Sequence, residues 1–507
     1  MTRQVIKLGS SSIASRDGLA LDVIAGLVSQ IAGAQRAGHE IILVTSGAAR
    51  LGRRLLAFEG PTAGAAAALQ ALVGSIRSSV QSADGYDSLV ESLKAILRRY
   101  DGPDDGPQAV DTALPAAVGQ PALMALYRQL AAAVGVEVCQ ILVSRSDLAS
   151  ARAMGDLGHV LREATARGLL PIVNGNDATD PLSALDNDQV AVAVAVAAEA
   201  SRLLFLTDVR AAYRDSALSQ RIDRLTPAEA RAVRITTGGS GRGGMGSKLS
   251  AAARAACCGV ECTIGSARES DVVARSLNPR ARMGTVVRGA GHQLEPARRW
   301  IGGIAYSEGS VHVNRDAEQS LRTGSTLFLS GVKRVDGDFA AGSVVELLDV
   351  RHPERLLGRG SVALPSSLLR LLRALSPQEV ACVISILLRL RYGSAVAGDE
   401  PSEAGDGPGE PVSAASLMDP DVYKDCRELA GGTSRASQEA FAQLAAFSAD
   451  RVAELTDSLI LAQPHLSTTF LQSRGFLNGQ VPTDPAARRV VRGIHAVHRE
   501  SLVVYPG

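Results

Sequence analysis

Short apolar runs alternate with helical periodicity over about the first 290 residues of the chain. Residues 5–8 and 41–44 are apolar runs of strand length, and between them residues 21–31 place apolar side chains at helical spacing, up to a stop at Gly38. Further apolar runs lie at 138–143, 170–173, 203–206 and 262–264. Because strand–helix–strand repetition is the unit of α/β folds, the pattern predicts a mostly parallel sheet sandwiched by helices.

The rest of the chain departs from this alternation in three places. Residues 59–108, bounded by Gly-Pro pairs, predict a helical insertion within a first domain of residues 1–295. Short β-like runs in residues 300–372 predict a second domain, a small β-barrel. Its candidate strands are 328–329, 332, 344–348 and 361–364. Residues 373–507 predict a helical extension, interrupted by an acidic, proline-rich linker at about 398–415 that we expect to be disordered.

Composition and charge narrow the class of protein. Lys plus Arg total 53 and Asp plus Glu total 52, so the net charge of +1 gives no electrostatic footprint for nucleic acid or an anionic membrane. No apolar run approaches the length that spans a bilayer, and the N-terminus lacks the apolar segment of a signal peptide. We therefore expect a cytoplasmic protein with no membrane partner.

Two groups of residues have the chemistry of metal ligands without the spacing of a metal site. Cys257, Cys258 and Cys262 are close in sequence but form no C-x-x-C pair. His495 and His498, on a predicted C-terminal helix, have no third ligand at a suitable distance along the chain. We interpret the cysteines as buried thiols and the histidines as a solvated pair, and we assign no metal ligand.

Two lysines stand beside glycine-rich turns. Lys7 leaves the first strand into the turn 9–12, and Lys248 follows the loop 238–247, just before an alanine-rich helix. Backbone N–H groups of such turns cradle oxyanions, and a lysine neutralises them, so both segments predict phosphate binding. The loop is not a Walker A motif, because Ser247 separates its last glycine from the lysine. For Lys7 alone, a surface lysine beside a tight turn is the alternative.

Hydroxyl and amide side chains follow two other strands. Ser46, in a Thr-Ser-Gly turn, could hold a carboxylate, and a plain glycine turn is the alternative. The Asn/Asp clusters 174–177 and 186–188 could bind an amino group, coordinate a metal ion or orient lysines, whereas a single Asn-Asp pair is usually a turn. An open α/β sheet places its ligands at the carboxyl ends of its strands, so we expect these segments to form one site.

Taken together and in this order, the segments resemble the amino-acid kinase family. The matching stretches are VIKLGSSS (5–12), ILVTSGAARLG (42–52), ALPAAVGQPALM (113–124), ILVSRSDL (141–148), PIVNGNDA (171–178), DNDQVAVAVA (186–195), LLFLTDV (203–209), GRGGMGSKLSAA (241–252) and RRWIGG (298–303). They cover about the first 300 residues. The segment 301–372, notably STLFLSGVKRVDGDFAAGSVVEL, resembles a PUA domain.

The resemblance is to family members that transfer a phosphoryl group from ATP, with Mg²⁺, to the side-chain carboxylate of L-glutamate, the first step toward proline. It implies that Lys7 and Lys248 neutralise the transferred group and that Asp188 holds both lysines. It also implies that Gly9 and Ser10 donate backbone N–H groups. The implied glutamate-binding residues are Ser46, Asp177, Asn187 and Asn174. The implied ATP-binding residues are Lys7, Thr207, Asp208, Arg242, Gly243, Gly244, Met245, Gly246, Ser247 and Lys248.

The resemblance further implies a homo-oligomer, a dimer or a tetramer, and coupling to glutamate-5-semialdehyde dehydrogenase. The chain departs from the family pattern at Gly175, where Glu is usual, at Leu185, where Gly is usual, and at Arg242, where Thr is usual. Two alternatives stay open: a kinase of the same fold for another small acid or a phosphate, and an inactive scaffold with an RNA-binding PUA domain. Residues 301–372 carry eight basic and eight acidic side chains, which disfavours nucleic acid as a partner.

Overall fold

The structure is a computed structural model of the 507-residue chain. It describes residues 1–15, 18–56, 113–179, 187–215, 217–233, 244–289, 294–353, 355–373, 454–459 and 494–505, with isolated positions between 375 and 387. These residues form two compact units, Met1–Tyr306 and Ser307–Tyr505. The predicted insertion at 59–108 and the predicted linker at 398–415 lie outside the described residues.

A single large sheet organises the first unit. Eight strands form this sheet: β1 (Arg3–Leu8), β4 (Glu40–Val44), β5 (Val138–Val143), β6 (Leu170–Gly175), β7 (Arg202–Thr207), β8 (Arg224–Leu225), β9 (Glu261–Ser266) and β10 (Thr285–Val287). Two short strands, β2 (Ala14–Ser15) and β3 (Gly18–Leu19), pair with each other in a separate hairpin. The sheet order is β5-β6-β4-β1-β7-β9-β10-β8. All neighbours pair parallel except β9 and β10, so the predicted mostly parallel sheet is confirmed.

Helices cover the sheet. They are α1 (Ser10–Ile13), α2 (Leu21–Arg36), α3 (Ala48–Leu56), α4 (Ala113–Ala133), α5 (Arg145–Ala149), α6 (Ala151–Ala166), α7 (Asn187–Ala197), α8 (Pro227–Ala232), α9 (Met245–Cys257), α10 (Val272–Leu277) and α11 (Pro296–Arg299), with a π-helical turn at Trp300–Ile304. Successive strand residues enter two separate apolar cores: Val5 packs in one with α7 and α9, and Ile6 packs in the other with α2 and α4. This alternation explains why the strands are apolar without interruption.

Helix α2 begins and ends where the sequence predicts. Its buried face carries the apolar residues at helical spacing, and Gly38 follows it with a φ of +84°. The N–H groups of Gly38 and His39 donate to the carbonyls of Gln35 and Ala34, which caps the last turn. Glycine takes this left-handed conformation without the strain that a Cβ would add.

Helices α3 and α4 approach closely at two glycines. A Cβ at Gly52 would lie 1.7 Å from the Pro115 carbonyl oxygen, and one at Gly119 would lie 1.9 Å from the Ala48 carbonyl oxygen. Only glycine therefore permits this backbone contact. The contact fixes the next residue of α4, Gln120, against the sheet edge described below.

The second unit contains a six-stranded sheet. Its strands are β11 (Gly309–Val313), β12 (Leu327–Phe328), β13 (Val332–Asp336), β14 (Val344–Asp349), β15 (Leu356–Val362) and β16 (His495–Val504), in the order β12-β16-β15-β14-β11-β13. Its helices are α12 (Arg315–Arg322) and α13 (Ser366–Leu372), with a 3₁₀ turn at Leu329–Gly331, and residues 454–459 are also helical. The strand predicted at 361–364 begins earlier, because β15 pairs with β14 from Leu356 onward.

The prediction of a C-terminal helix carrying His495 and His498 is wrong. These residues lie on β16, which pairs antiparallel with both β12 and β15. Helical and strand periods are hard to separate in a short mixed segment, and the neighbouring strands that decide the matter lie more than 130 residues earlier in the chain. Residues 495–504 are therefore part of the second sheet.

Candidate active site

Four of the segments predicted to carry chemistry meet at one edge of the first sheet. Strands β6, β4, β1 and β7 are consecutive and parallel, so their carboxyl ends lie side by side. Lys7 stands at the end of β1, Ser46 follows β4, Asn174 ends β6 and Thr207 ends β7. This is the edge at which open α/β sheets bind ligands.

A buried ionic group lies at the centre of this edge. The Lys7 ammonium is 2.5 Å from Oδ1 of Asp188, and the Lys248 ammonium is 3.4 Å from Oδ2 of the same carboxylate. Asp188 is fully buried, and the lysine side chains are 4% and 5% exposed. The two lysines, 241 positions apart in sequence, therefore converge on one carboxylate, and the group carries a net charge of +1.

Secondary structure brings these three charges together. Lys7 lies in the sheet between Val44 of β4 and Phe205 of β7. Asp188 belongs to the first turn of α7, and Lys248 belongs to the first turn of α9. The helix dipole favours an acidic side chain at the start of α7. The positive charge of Lys248 at the start of α9 is unfavourable with respect to the dipole of that helix. The carboxylate of Asp188 offsets this unfavourable interaction.

Hydrogen bonds join the amide side chains beside this group. Asn187 Nδ2 donates to Ser46 Oγ at 2.7 Å and approaches Asn174 Oδ1 at 3.4 Å. Asn174 Nδ2 in turn donates to Gln120 Oε1 at 2.9 Å. Residues from β6, α7, α4 and the turn after β4 thus form one chain of polar groups. Gln120 is not among the predicted site residues, because a single Gln between apolar helix positions does not indicate a binding role.

Two polar atoms of this chain have no partner among the described residues. They are Nε2 of Gln120, a donor, and Oδ1 of Asn187, an acceptor, and both are buried. Buried polar atoms are normally hydrogen-bonded, so an unpaired donor and an unpaired acceptor, on the two residues that Asn174 links, indicate room for a polar ligand. Asp177 lies alongside: a Cβ at Gly175 would be 3.2 Å from its Oδ1 and 3.5 Å from Oδ1 of Asn187.

At position 175 the chain has glycine where the family pattern has Glu, and the space around this position is limited. A Cβ there would be closer to the Asp177 carboxylate than most Cβ contacts, so Asp177 would have to move by a few tenths of an ångström. Glycine therefore allows the Asp177 and Asn187 oxygens to stand near one point. Two acceptor oxygens at one point suit an ammonium group.

The turn that carries Ser46 is held from two sides. Thr45 Oγ1 shares a hydrogen bond of 2.7 Å with the hydroxyl of Tyr127, on α4. Burial raises the pKa of Tyr127 to about 12, although the hydrogen bond with Thr45 acts in the opposite direction. Gly47 has a φ of +103°, and a Cβ there would lie 2.5 Å from Ile13 Cδ1. The left-handed backbone conformation therefore favours glycine, and a Cβ would in addition require the end of the Ile13 side chain to shift.

The residues assigned to the nucleotide lie on the other side of the lysines along the sheet. Thr207, buried at the end of β7, donates from Oγ1 to Oδ1 of the exposed Asp208 at 2.8 Å. Gly244 is the N-cap residue of α9 and supplies no side-chain cap. Met245, Gly246 and Ser247 form its first turn. Arg242 and Gly243 lie outside the described residues.

Two predicted backbone donors, Gly9 and Ser10, lie in the turn after β1. The Gly9 carbonyl accepts from the N–H groups of Ser12 and Ile13, which closes the short helix α1 directly after Lys7. The turn thus faces the same sheet edge as the lysine. Within the described part of the chain, no three His, Cys, Asp or Glu side chains are grouped as metal ligands.

Comparison with known proteins agrees with this geometry. The sequence profile of the amino acid kinase family matches residues 2–266, and that of the PUA domain matches residues 309–376. The chain belongs to the amino acid kinase family. The glutamate 5-kinase of Synechococcus sp. (strain CC9605) is 32% identical over 381 residues, which are 73% of this chain and 93% of that protein.

Other relatives carry the same name. The glutamate 5-kinase of Gloeobacter violaceus (strain ATCC 29082 / PCC 7421) is 32% identical over 76% of this chain and 95% of its own length. Glutamate 5-kinase 2 of Bacillus subtilis (strain 168) is 29% identical over 71% of this chain and 88% of its own length. The predicted family and the PUA domain are confirmed, and this protein groups with the glutamate 5-kinases. Among its described helices, none has the length and apolar character needed to cross a bilayer.

Proposed function

We propose that this protein phosphorylates the side-chain carboxylate of L-glutamate with ATP and releases γ-glutamyl phosphate, the first intermediate toward proline. The observation that carries the proposal is the pair of ammonium groups on Asp188, set beside a chain of amide groups with an unpaired donor and acceptor. The cations suit a phosphoryl group, and the amide groups suit the polar end of an amino acid.

The reaction needs charge neutralisation and alignment rather than a base. A glutamate side chain has a pKa of about 4.3, so its carboxylate is already ionised and nucleophilic at neutral pH. In the proposed step a carboxylate oxygen forms a bond to the γ-phosphorus while the bond to the β,γ-bridging oxygen of ATP breaks. Lys7 and Lys248 neutralise the charge on the moving phosphoryl oxygens, and Asp188 keeps both ammonium groups in place.

Glutamate binds, in this proposal, through Ser46, Asn174, Asp177 and Asn187. The Asp177 carboxylate and the Asn187 carbonyl accept hydrogen bonds from the substrate ammonium group. The hydroxyl of Ser46 and the amide of Gln120 donate to its α-carboxylate. Asn174 acts as a positioning residue, because it contacts both Asn187 and Gln120. Gly9 and Ser10 contribute backbone N–H groups to the transferred phosphoryl group.

ATP binds between the end of β7 and the start of α9. Thr207 and Asp208 contact the nucleoside part, and the loop 242–248 contacts the phosphates through backbone N–H groups and Lys248. Gly244, the N-cap residue of α9, has no side chain that would cover the helix start, and this supports the assignment, because helix N-termini bind phosphate. Mg²⁺ bound to the ATP phosphates, the usual mode for this ion, would neutralise them further.

The organisation of the whole chain follows from the same proposal. We assign residues 1–295 to the kinase domain and residues 300–372, completed by β16, to a PUA-like domain.

An acyl phosphate is readily hydrolysed, so we infer that the product passes directly to glutamate-5-semialdehyde dehydrogenase. We expect the kinase to be a cytoplasmic homo-oligomer.

The test is an assay with glutamate, ATP and Mg²⁺ in which hydroxylamine traps the acyl phosphate as a hydroxamate. We expect hydroxamate and ADP to form in equal amounts. A panel of other acids, including aspartate and N-acetylglutamate, tests the acceptor. ADP release with another acid and none with glutamate would overturn the proposed substrate while leaving the kinase assignment intact.

A further inference from the structure

A cavity of about 470 Å³ in the second unit is lined by arginines. Its lining residues are Arg315, Glu318, Gln319, Arg322, Arg351 and Arg355. We call this group the arginine cavity. Its volume is within the range of small-ligand sites, about 300–1,000 Å³. Nothing in the proposed kinase reaction uses it.

Two elements of the fold build the arginine cavity. Residues 315, 318, 319 and 322 follow the helical i, i+3, i+4, i+7 spacing, so they form one face of α12. Arg351 and Arg355 belong to the connection between β14 and β15. A single helix face thus stands opposite a turn, and both present guanidinium groups to the same space.

Two carboxylates hold three of these arginines in place. Asp349, 1% exposed, accepts from Nη2 of Arg351 at 3.0 Å. Glu318 forms an ion pair with Nη2 of Arg355 at 3.0 Å and accepts a hydrogen bond from Nη2 of Arg322 at 3.2 Å. Burial alone would raise the pKa of Asp349, but the hydrogen bonds from Arg351 lower it. The acid is therefore charged at neutral pH, and the arginines are fixed before any ligand arrives.

Donors exceed acceptors in this group. Each guanidinium has about five N–H donors and each carboxylate about four acceptor positions. The four arginines and two acids also leave a net charge of +2. The fourth cation, Arg315, is exposed and its side chain contacts no acid among the described residues. Among the described residues, the cavity therefore has more donors than acceptors and a net positive charge.

We propose that the arginine cavity binds a small ligand bearing one or more phosphate groups. Guanidinium groups match phosphate oxygens in pairs, and four of them around one cavity supply more donors than a single carboxylate ligand would accept. An extended nucleic acid fits less well. It requires a continuous basic surface, whereas residues 301–372 have as many acids as bases and half of the bases line this cavity.

Calorimetric titration of the full-length protein with pyrophosphate tests the proposal. The wild-type chain and the Lys248→Ala chain are both titrated, because the kinase site also binds phosphates and the second chain lacks one of its cations. We expect a binding step that survives Lys248→Ala and weakens when NaCl is raised from 50 to 500 mM.

Arg315→Gln is the diagnostic variant, because Arg315 supports no described contact and its loss should leave the melting temperature unchanged. We expect it to weaken pyrophosphate binding about tenfold or more, the loss expected for a hydrogen bond to a charged group. Lys333→Gln removes the same charge from an exposed site outside the cavity and should change nothing.

Equal pyrophosphate affinity in wild type, Arg315→Gln and Lys333→Gln would overturn the proposal. So would binding of a twelve-nucleotide single-stranded RNA that depends on Arg315 without any binding of pyrophosphate. If Arg315→Gln unexpectedly lowers the melting temperature, Arg322→Gln repeats the test within the same helix face. Because the diagnostic substitutions change only the second unit, failure here leaves the proposed kinase activity untouched.

Discussion

Each of the two units places cationic side chains around carboxylates, but the units differ in the type of cation and in its burial. In the first unit, Asp188 is fully buried between two lysines. In the second, Glu318 and Asp349 hold arginines whose side chains are 33–48% exposed. Lys plus Arg total 53 in this chain and only five are lysines, yet two of the five stand at Asp188.

The choice of cation matches the task of each group. An ammonium is a compact charge with three donors that rotate, so it can follow a phosphoryl group as it moves between two oxygens. A guanidinium is a rigid planar fork that fits an oxyanion at rest. Burial adds a second difference, because charges interact more strongly where water is excluded. The same substitution should therefore have a larger effect at Asp188 than in the arginine cavity.

The largest expected effect is on turnover. We expect Lys7→Ala and Lys248→Ala each to lower kcat by about 10³-fold or more, because each removes a preorganised charge from the transition state. Lys248→Arg should restore only part of the activity, because a planar fork replaces a rotating ammonium. Hydroxamate formation measures all three.

Lys333→Ala, at an exposed lysine of the second unit, is the control for these variants. Wild-type turnover in Lys7→Ala or Lys248→Ala would show that the catalytic cations are misassigned. Full activity in Lys248→Arg would instead remove the distinction between ammonium and guanidinium drawn here.

The next largest expected effect is on the free energy of unfolding, and it differs between Asp188 and Glu318, the two carboxylates that hold cationic side chains. Asp188→Asn leaves two buried ammonium groups unneutralised, so we expect a loss of about 3 kcal/mol or more in the free energy of unfolding. Glu318→Gln, among exposed arginines, should cost about 1 kcal/mol or less. Thermal unfolding of both variants measures the difference. Equal losses would contradict the contrast between the buried lysines of Asp188 and the partly exposed arginines of Glu318.

A smaller effect concerns substrate binding in the first unit. Gln120→Ala removes the buried acceptor of Asn174 and the donor proposed for the α-carboxylate, so we expect KM for glutamate to rise about tenfold. KM for ATP should stay unchanged, because Gln120 lies on the amide side of the lysines. Gln4→Ala is the matched control: Gln4 is also buried and donates to Ser276 at 2.9 Å, near the start of β1. An equal change in both variants would make the role of Gln120 merely structural.

The smallest effect appears only in alkaline solution. Burial raises the pKa of Tyr127 to about 12, so the neutral hydroxyl stabilises the fold fully below about pH 10 and progressively less as pH rises toward 12. Each pKa unit is worth about 1.36 kcal/mol, so the loss between pH 10 and 11 should be about 1 kcal/mol. Tyr127→Phe should lower the melting temperature at pH 8 and make it fall less between pH 10 and 11. A parallel fall in both proteins would exclude Tyr127 as the titrating group.

Local pattern was sufficient for much of the kinase unit. The apolar run at 138–143 coincides with β5, and the helix predicted from residue 21 ends before Gly38 as expected. Lys7 and Lys248 could be predicted as phosphate-binding residues, because a lysine beside a glycine-rich turn indicates this role without reference to distant residues. Gln120 and Tyr127 gave no such signal, because their roles come from contacts with Asn174 and Thr45 that are formed only after folding.

The sequence by itself determined the α/β class, the edge of the sheet where chemistry collects, and the identity of the charged groups there. These follow from periodicity and from the intrinsic chemistry of a few side chains. Tertiary structure alone decided that one fully buried carboxylate serves both lysines, that the last ten-residue strand completes the second sheet, and that α12 faces the turn bearing Arg351 and Arg355. Each of these depends on residues far apart in the chain, and no local pattern encodes their distance in space.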